Sequence, residues 1–242
     1  MHVIAAENLS LKRTFTRKLL FIVPFVNVIL SFLMNPTFFV SGTFNWWSII
    51  FMPLLIGLLC SMVNKKEIKA GNYSVLFSKP LAFEKVWYGK ITVLALYTLI
   101  SMIIFAVLLV LVGILFPGYA IMQANRFEAI ILLWLTSLWQ IPFCLFLARK
   151  FGLIIAVGVN FICGLFMGTL AAYHFWWIIP WAWPVRMMSP ILGIHPNGLA
   201  LKAGNPLMSY TAVPIGIGLS LIFLIILAYT TGRQFAKEVK RS

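Results

Sequence analysis

Long uncharged apolar runs, set around one strongly charged interval, restrict this chain to a membrane. Residues 46–63 and 91–115 contain no charged side chain, while 64–90 between them hold six lysines and two glutamates. Several runs reach the roughly 18 residues that mark a membrane-crossing helix. Of the 242 residues, 62% are hydrophobic and 10% charged, against about 25% charged in ordinary soluble domains. A soluble fold of this size could not hide so much apolar surface. The reading is an all-α polytopic membrane protein, one transmembrane domain over 1–242. Six transmembrane helices are expected at about 19–40, 46–63, 91–115, 129–148, 153–172 and 211–229.

Charge sets the orientation. The net charge is +14, which by itself could suggest nucleic acid. Position argues against nucleic acid: 16 of the 19 Lys and Arg fall before the first span, in 64–90, at Arg149-Lys150 and after the last span. The span pattern places all four intervals on one side. Only Arg126, Arg186 and Lys202 lie on the other. Positive loops are retained in the cytoplasm, so both termini and 64–90 are expected there, with anionic lipid headgroups close by.

Local signals refine the spans. Residues 1–18 carry Ile4, Leu11 and Phe15 on one stripe among Lys12, Arg13, Arg17 and Lys18, which suits a helix lying in the interface. No cleavable signal is expected. Asn35-Pro36 should break the chain near the outer surface, and Trp46 and Trp47 then open the second span as interface anchors. Residues 149–152 form a tight turn. Gly164-x-x-x-Gly168 offers a small-residue face for close helix packing. Residues 173–210 contain Trp176, Trp177, Trp181 and Trp183 with five prolines. Prolines at that density prevent a continuous span, so the segment reads as re-entrant or interfacial, tolerated at depth only where protein or a cavity covers it.

The chemistry is as informative for what the sequence omits. It has no glycine-rich phosphate loop and no paired-ligand metal spacing, so no catalytic, cofactor-binding or metal residues are assigned. Cys60, Cys144 and Cys163 sit in or beside spans and read as packing residues. His2, His174 and His195 are scattered. Ser31, Ser101, Thr136, Ser137, Thr169 and Ser220 lie in spans without a basic or acidic partner, as helix-packing hydroxyls do. The five acids are all glutamates, and none lies in the middle of a span. Ion-coupled transporters need intramembrane ionisable groups. A protein without such a relay and without a motor is either passive or driven by a partner.

The charged interval offers a surface for that partner. Tyr73, Val75, Leu76 and Phe77 form an apolar cluster, and Ser78-Lys79-Pro80 reads as a helix start. The order Glu67, Gly71, the apolar cluster, Ser78-Lys79-Pro80-Leu81 and Gly89-Lys90 resembles the first cytoplasmic loop of type-2 ABC exporter permeases. That loop reads Glu-x-x-x-Gly, then a short helix ending in Ser/Ala-x-Pro, then a Lys opening the third transmembrane helix. Asn72 stands where the family often has Thr or Ser.

The resemblance implies a cytoplasmic coupling helix contacting an ATP-binding ABC subunit through Glu67, Gly71, Tyr73, Leu76, Phe77 and Pro80. It also implies an N-terminal connecting helix over 1–18. In length, span number and lack of a fused ATPase, the chain is most similar to the permease subunits of lantibiotic immunity transporters. There, two permease chains of different kinds pair with two copies of the ATP-binding chain, which carries the ATP and Mg. The resemblance therefore implies a second permease subunit, a bacterial cytoplasmic membrane, and an amphiphilic antimicrobial peptide as substrate, met at Trp176, Trp177, Trp181 and Trp183. The alternatives are a non-transporting structural subunit or a permease for a different hydrophobic substrate.

Overall fold

The structure, a computed structural model, describes residues 2–11, 14–69, 83–117 and 124–239. Its described residues form helices and short 3-10 turns. Among the described residues, five stretches are long and apolar enough to cross a membrane: Phe15–Met34, Pro36–Lys69, Phe83–Leu115, Gln140–Ala172 and Ala212–Glu238.

A short helix α1 (His2–Ser10) leads into α2 (Phe15–Met34). The expected apolar stripe on 1–18 is divided by the turn between them. Leu11 is buried in the core, whereas Ile4 and Phe15 stay exposed. Pro24 lies inside α2. A proline has no N–H for the carbonyl four residues back, and the carbonyl of Leu20 is taken instead by the Ser101 hydroxyl at 3.1 Å. The missing rung of α2 thus becomes a tie to a neighbouring helix.

Asn35 ends α2, as expected, and its side chain caps the next turn by accepting from the Thr37 N–H at 3.1 Å. The helix resumes at once, so the first span stops at Met34 and the second begins well before residue 46. α3 (Phe39–Trp46) and α4 (Met52–Lys69) are joined by one wide turn, Trp47–Phe51. Pro53 follows that turn and removes the donor that the Ile49 carbonyl would otherwise use. Trp47 is not an interface anchor. It is fully buried, stacked on Phe105 at 4.6 Å, with its indole N–H on the Met102 sulfur at 3.0 Å.

α5 (Phe83–Leu115) is a single unbroken helix. The expected fourth span is shared between α6 (Ala124–Ser137) and the beginning of α7 (Gln140–Gly168), with the break at Leu138 and Trp139. Pro142 explains the position of the break, because Leu138 is the residue four back whose carbonyl loses its donor. α7 itself is a hairpin. Gly152 has φ 84° and ψ −175°, a conformation open essentially to glycine alone. Asn160 donates to the Gln140 side-chain oxygen at 2.9 Å. On a straight helix those residues would stand about 30 Å apart, so the chain doubles back at Gly152.

The second arm of α7 packs along α4 with almost no side chain between them. A Cβ on Gly164 would lie 2.7 Å from Pro53 Cγ and 2.8 Å from the Ile49 carbonyl oxygen, and one on Gly168 would lie 3.1 Å from Ile49. The small-residue pair therefore marks a close helix contact. After two short 3-10 turns, Thr169–Ala172 and Trp176–Ile178, comes α8 (Ala182–Leu192), buried along its whole length except Leu192. Gly193 closes it at φ 66°. Asn45 reaches across from α3 to donate to the Pro196 carbonyl at 2.9 Å. α9 (Ala212–Val239) completes the fold.

Candidate functional site

The described parts of the four basic intervals meet at one end of the helices. Asn64 donates to the Ala148 carbonyl at 2.7 Å, joining the end of α4 to the α7 turn. Arg149 in that turn pairs with Glu238 of α9 at 3.2 Å and lies over the Phe235 ring at 4.4 Å. Phe235 stacks on Trp87 at 4.9 Å, and the Trp87 indole donates to Thr231 at 3.0 Å.

Lys90 is the centre of this end. Its side chain is buried, and its ammonium donates to both carboxylate oxygens of Glu7 at 3.0 Å and to Glu67 Oε1. Glu7 belongs to α1, Glu67 to the last turn of α4 and Lys90 to the second turn of α5. A carboxylate at a helix C-terminus opposes the helix dipole, so Glu67 gains from a cation brought to it. A buried ammonium in turn needs charged partners. The cluster ties the two ends of the expected coupling loop to each other and to the N-terminal helix.

Of the residues expected to couple to an ATPase, Glu67 is placed at this cluster. Gly71, Tyr73, Leu76, Phe77 and Pro80 lie outside the described residues. In the sequence Lys90 reads only as a helix opener, and Glu7 carries no site role. Their charge in a mostly apolar chain was the available signal.

A second polar cluster lies midway along the helices. Asn160, fully buried, donates to the Pro53 carbonyl at 2.8 Å and to Gln140 at 2.9 Å, and accepts from the Trp181 indole at 3.0 Å. Trp181 therefore stands at the middle of the second arm of α7, which makes 173–192 a segment that enters the helix packing. Trp183 is buried, donates to the Trp177 carbonyl at 2.9 Å, and meets Trp139 and Phe223 edge-on. Trp176 is half-buried beneath the Arg186 guanidinium at 5.7 Å. Trp177 is 53% exposed, with Ile178 and Tyr173 exposed beside it. Trp181 and Trp183 thus pack inside, Trp176 packs half-buried against the core, and of the four only Trp177 is exposed.

At this far end Arg186 is buried and donates to the Leu207 carbonyl at 2.6 Å. Among the described residues no carboxylate forms an ion pair with it or with Arg126.

Of the serines and threonines singled out in spans, Ser31, Ser101, Thr136 and Thr169 bond to backbone or to a neighbouring amide, while the buried Ser220 hydroxyl has no partner among the described residues. Ser31 meets Asn27 at 3.4 Å, and Thr136 and Thr169 donate to the Leu132 and Phe166 carbonyls. No group of three or more His, Cys, Asp or Glu that could hold a metal occurs among the described residues.

A family model described as ABC-2 family transporter protein matches residues 3–170. The match runs from α1 through the α7 hairpin and includes both polar clusters except Trp181. No curated protein matches the chain, and no solved structure does.

Proposed function

From the premise that the chain belongs to the ABC-2 family of transporter proteins, and so is a membrane-spanning subunit working with an ATP-binding partner, we propose that it exports a lantibiotic or similar antimicrobial peptide. The peptide partitions into the membrane, meets the exposed apolar face at Tyr173, Trp177 and Ile178, and leaves outward when ATP binding closes the partner. Two copies of that partner and a second, different permease chain complete the transporter. The membrane is the bacterial cytoplasmic membrane, with both termini and the Lys90 end inside.

The observation that carries the coupled-permease reading is the Glu7–Lys90–Glu67 cluster. It clamps the base of the loop expected to dock on the ATPase, so a push on that loop meets a fixed point joining α1, α4 and α5. Export of an amphiphile is supported by the chain's lack of a mid-span acid and by the aromatic surface of the far segment.

A permease for a different hydrophobic substrate remains the second reading, and charge favours it. Four of the five glutamates belong to the Lys90 end in the proposed topology, leaving Glu128 alone at the far end with Arg126, Arg186 and Lys202. A cationic peptide would therefore be recognised there through rings and apolar surface, not by carboxylates.

Co-expression with the ATP-binding chain and the second permease in a sensitive cell tests the proposal. Cell-bound peptide should fall and peptide in the medium should rise. Protection that persists with an ATPase-dead partner would indicate sequestration, and no protection against any membrane-active peptide would remove this substrate class.

A further inference from the structure

Two grooves run along the outward face of α5, and only one has a charged end. The first, about 730 Å³, lies between α1, α2 and α5, with Leu20, Phe21, Leu96, Ile100 and Ile103 among its apolar walls. The second, about 430 Å³, lies between α5 and α6 and is apolar throughout. Leu99 and Ile103 line both grooves, so the two form one continuous track.

Arg17 stands in the first groove with Tyr97 and Asn8. Its Nε donates to the Tyr97 hydroxyl at 3.1 Å and its Nη2 to Asn8 Oδ1 at 3.1 Å, and Tyr97 donates to the same Asn8 oxygen at 2.9 Å. A guanidinium has five N–H donors, and these bonds use two. Lys90 takes the nearby carboxylates Glu7 and Glu67. Among the described residues Arg17 forms no ion pair, so a half-buried cation is left beside an apolar track.

We propose that this track binds an anionic phospholipid of the leaflet at the Lys90 end, its phosphate on Arg17 and an acyl chain along α5. The dimensions agree. From Tyr97 to Leu111 the helix rises about 21 Å, while half of a roughly 30 Å hydrocarbon core is about 15 Å, so the track accommodates a chain from one leaflet. Arg17 supplies the charge complement, and its planar fork suits phosphate oxygens. The second groove alone would take any hydrocarbon. The cation makes the site select for a negative headgroup. A lipid held there would also touch α1, α2 and α5 together. The inference needs no assumption about cargo, and its failure would leave the permease reading standing.

Full-length chain in nanodiscs of phosphatidylcholine and phosphatidylglycerol, released for native mass spectrometry, tests it. The wild type should retain phosphatidylglycerol preferentially. Arg17→Gln should lower that retention about fivefold, the effect of one cation at a membrane surface, without changing retained phosphatidylcholine. Ile100→Trp, which fills the track and leaves the cation, should lower retention of both lipids. Tyr97→Phe, which keeps the guanidinium, should preserve the preference. A loss in Tyr97→Phe equal to that in Arg17→Gln would mean that Arg17 only holds α1, overturning the proposal. Unchanged retention in both Arg17→Gln and Ile100→Trp would overturn it too. Displacement of the lipid by inorganic phosphate would assign the cation to a free anion, and a cross-link between two permease chains carrying Ile100→Cys would assign the groove to protein. Either result would reject the phospholipid.

Discussion

Glu67 and Lys90 meet across the charged interval, 23 residues apart in sequence, and Lys90 is the more deeply buried of the two. The pair closes the base of a loop whose interior carries the residues expected to meet an ATP-binding partner. It is also shared, because Glu7 approaches the same ammonium from α1.

Removing the cation should therefore be worse than removing either anion. Lys90→Ala leaves two carboxylates facing each other, and loss of one member of a buried pair costs about 3–5 kcal/mol. A large drop in melting temperature of the purified chain is expected, with Glu7→Gln and Glu67→Gln each milder. Equal effects for all three would show that the cluster does not depend on its central charge.

Coupling should respond to charge placed in the loop. The double substitution Leu76→Asp and Phe77→Asp is expected to abolish assembly with the ATP-binding subunit, or its stimulated ATPase, while membrane insertion is retained. Full assembly and transport in the double variant would rule out docking through this cluster.

Gly152→Ala tests the hairpin. Its cost should be about 1–3 kcal/mol, the usual range for a side chain forced into a sparsely populated backbone region. Gly158→Ala provides the contrast, since a Cβ there has no neighbour within 4 Å and alanine is the better helix former. Thermal melting of the two variants should separate them in opposite directions.

Gly164→Val should force α4 and the second arm of α7 apart. Overpacking of this kind costs about 1–3 kcal/mol, and the Pro53 ring and Ile49 carbonyl leave no free direction. Protease susceptibility at the 149–152 turn should rise in step with the loss of stability. A fully stable Gly164→Val protein would contradict the close contact.

Asn160→Leu keeps the branched shape at Cγ and removes three hydrogen bonds, leaving the Trp181 indole N–H without its acceptor. The expected loss is about 1–2 kcal/mol, since polar contacts between membrane helices are individually modest. Indole emission from the far segment should shift as Trp181 loosens. An unchanged spectrum and melting point would show that Asn160 does not hold the segment in place.

Much of this architecture was legible in local sequence. The apolar runs set the helices, Asn35-Pro36 set the end of α2, and the glycine at 152 and the pair at 164 and 168 marked a turn and a contact. What stayed hidden depended on distant partners. Trp47 carries the same ring as an interface anchor. Its burial depends on Met102 and Phe105, which arrive on another helix. Lys90 looked like one lysine among six until the fold brought Glu7 to it from 83 positions earlier. Trp181 and Trp183 were indistinguishable in sequence from the exposed Trp177, because what draws them inside is Asn160 and Trp139.

The break at Leu138 and Trp139 has a mechanical consequence. α5 runs for 33 residues without interruption, a rod of about 50 Å, and its first turns, through Lys90, belong to the charged interval. The path through α7 and α6 is jointed midway. A displacement applied at the loop end would travel the length of α5 as a rigid stroke, while along the neighbouring path the joint would absorb it. The far ends of α5 and α6 would then move by unequal amounts, and the seam between them would be the place where a stroke at one face opens a gap at the other.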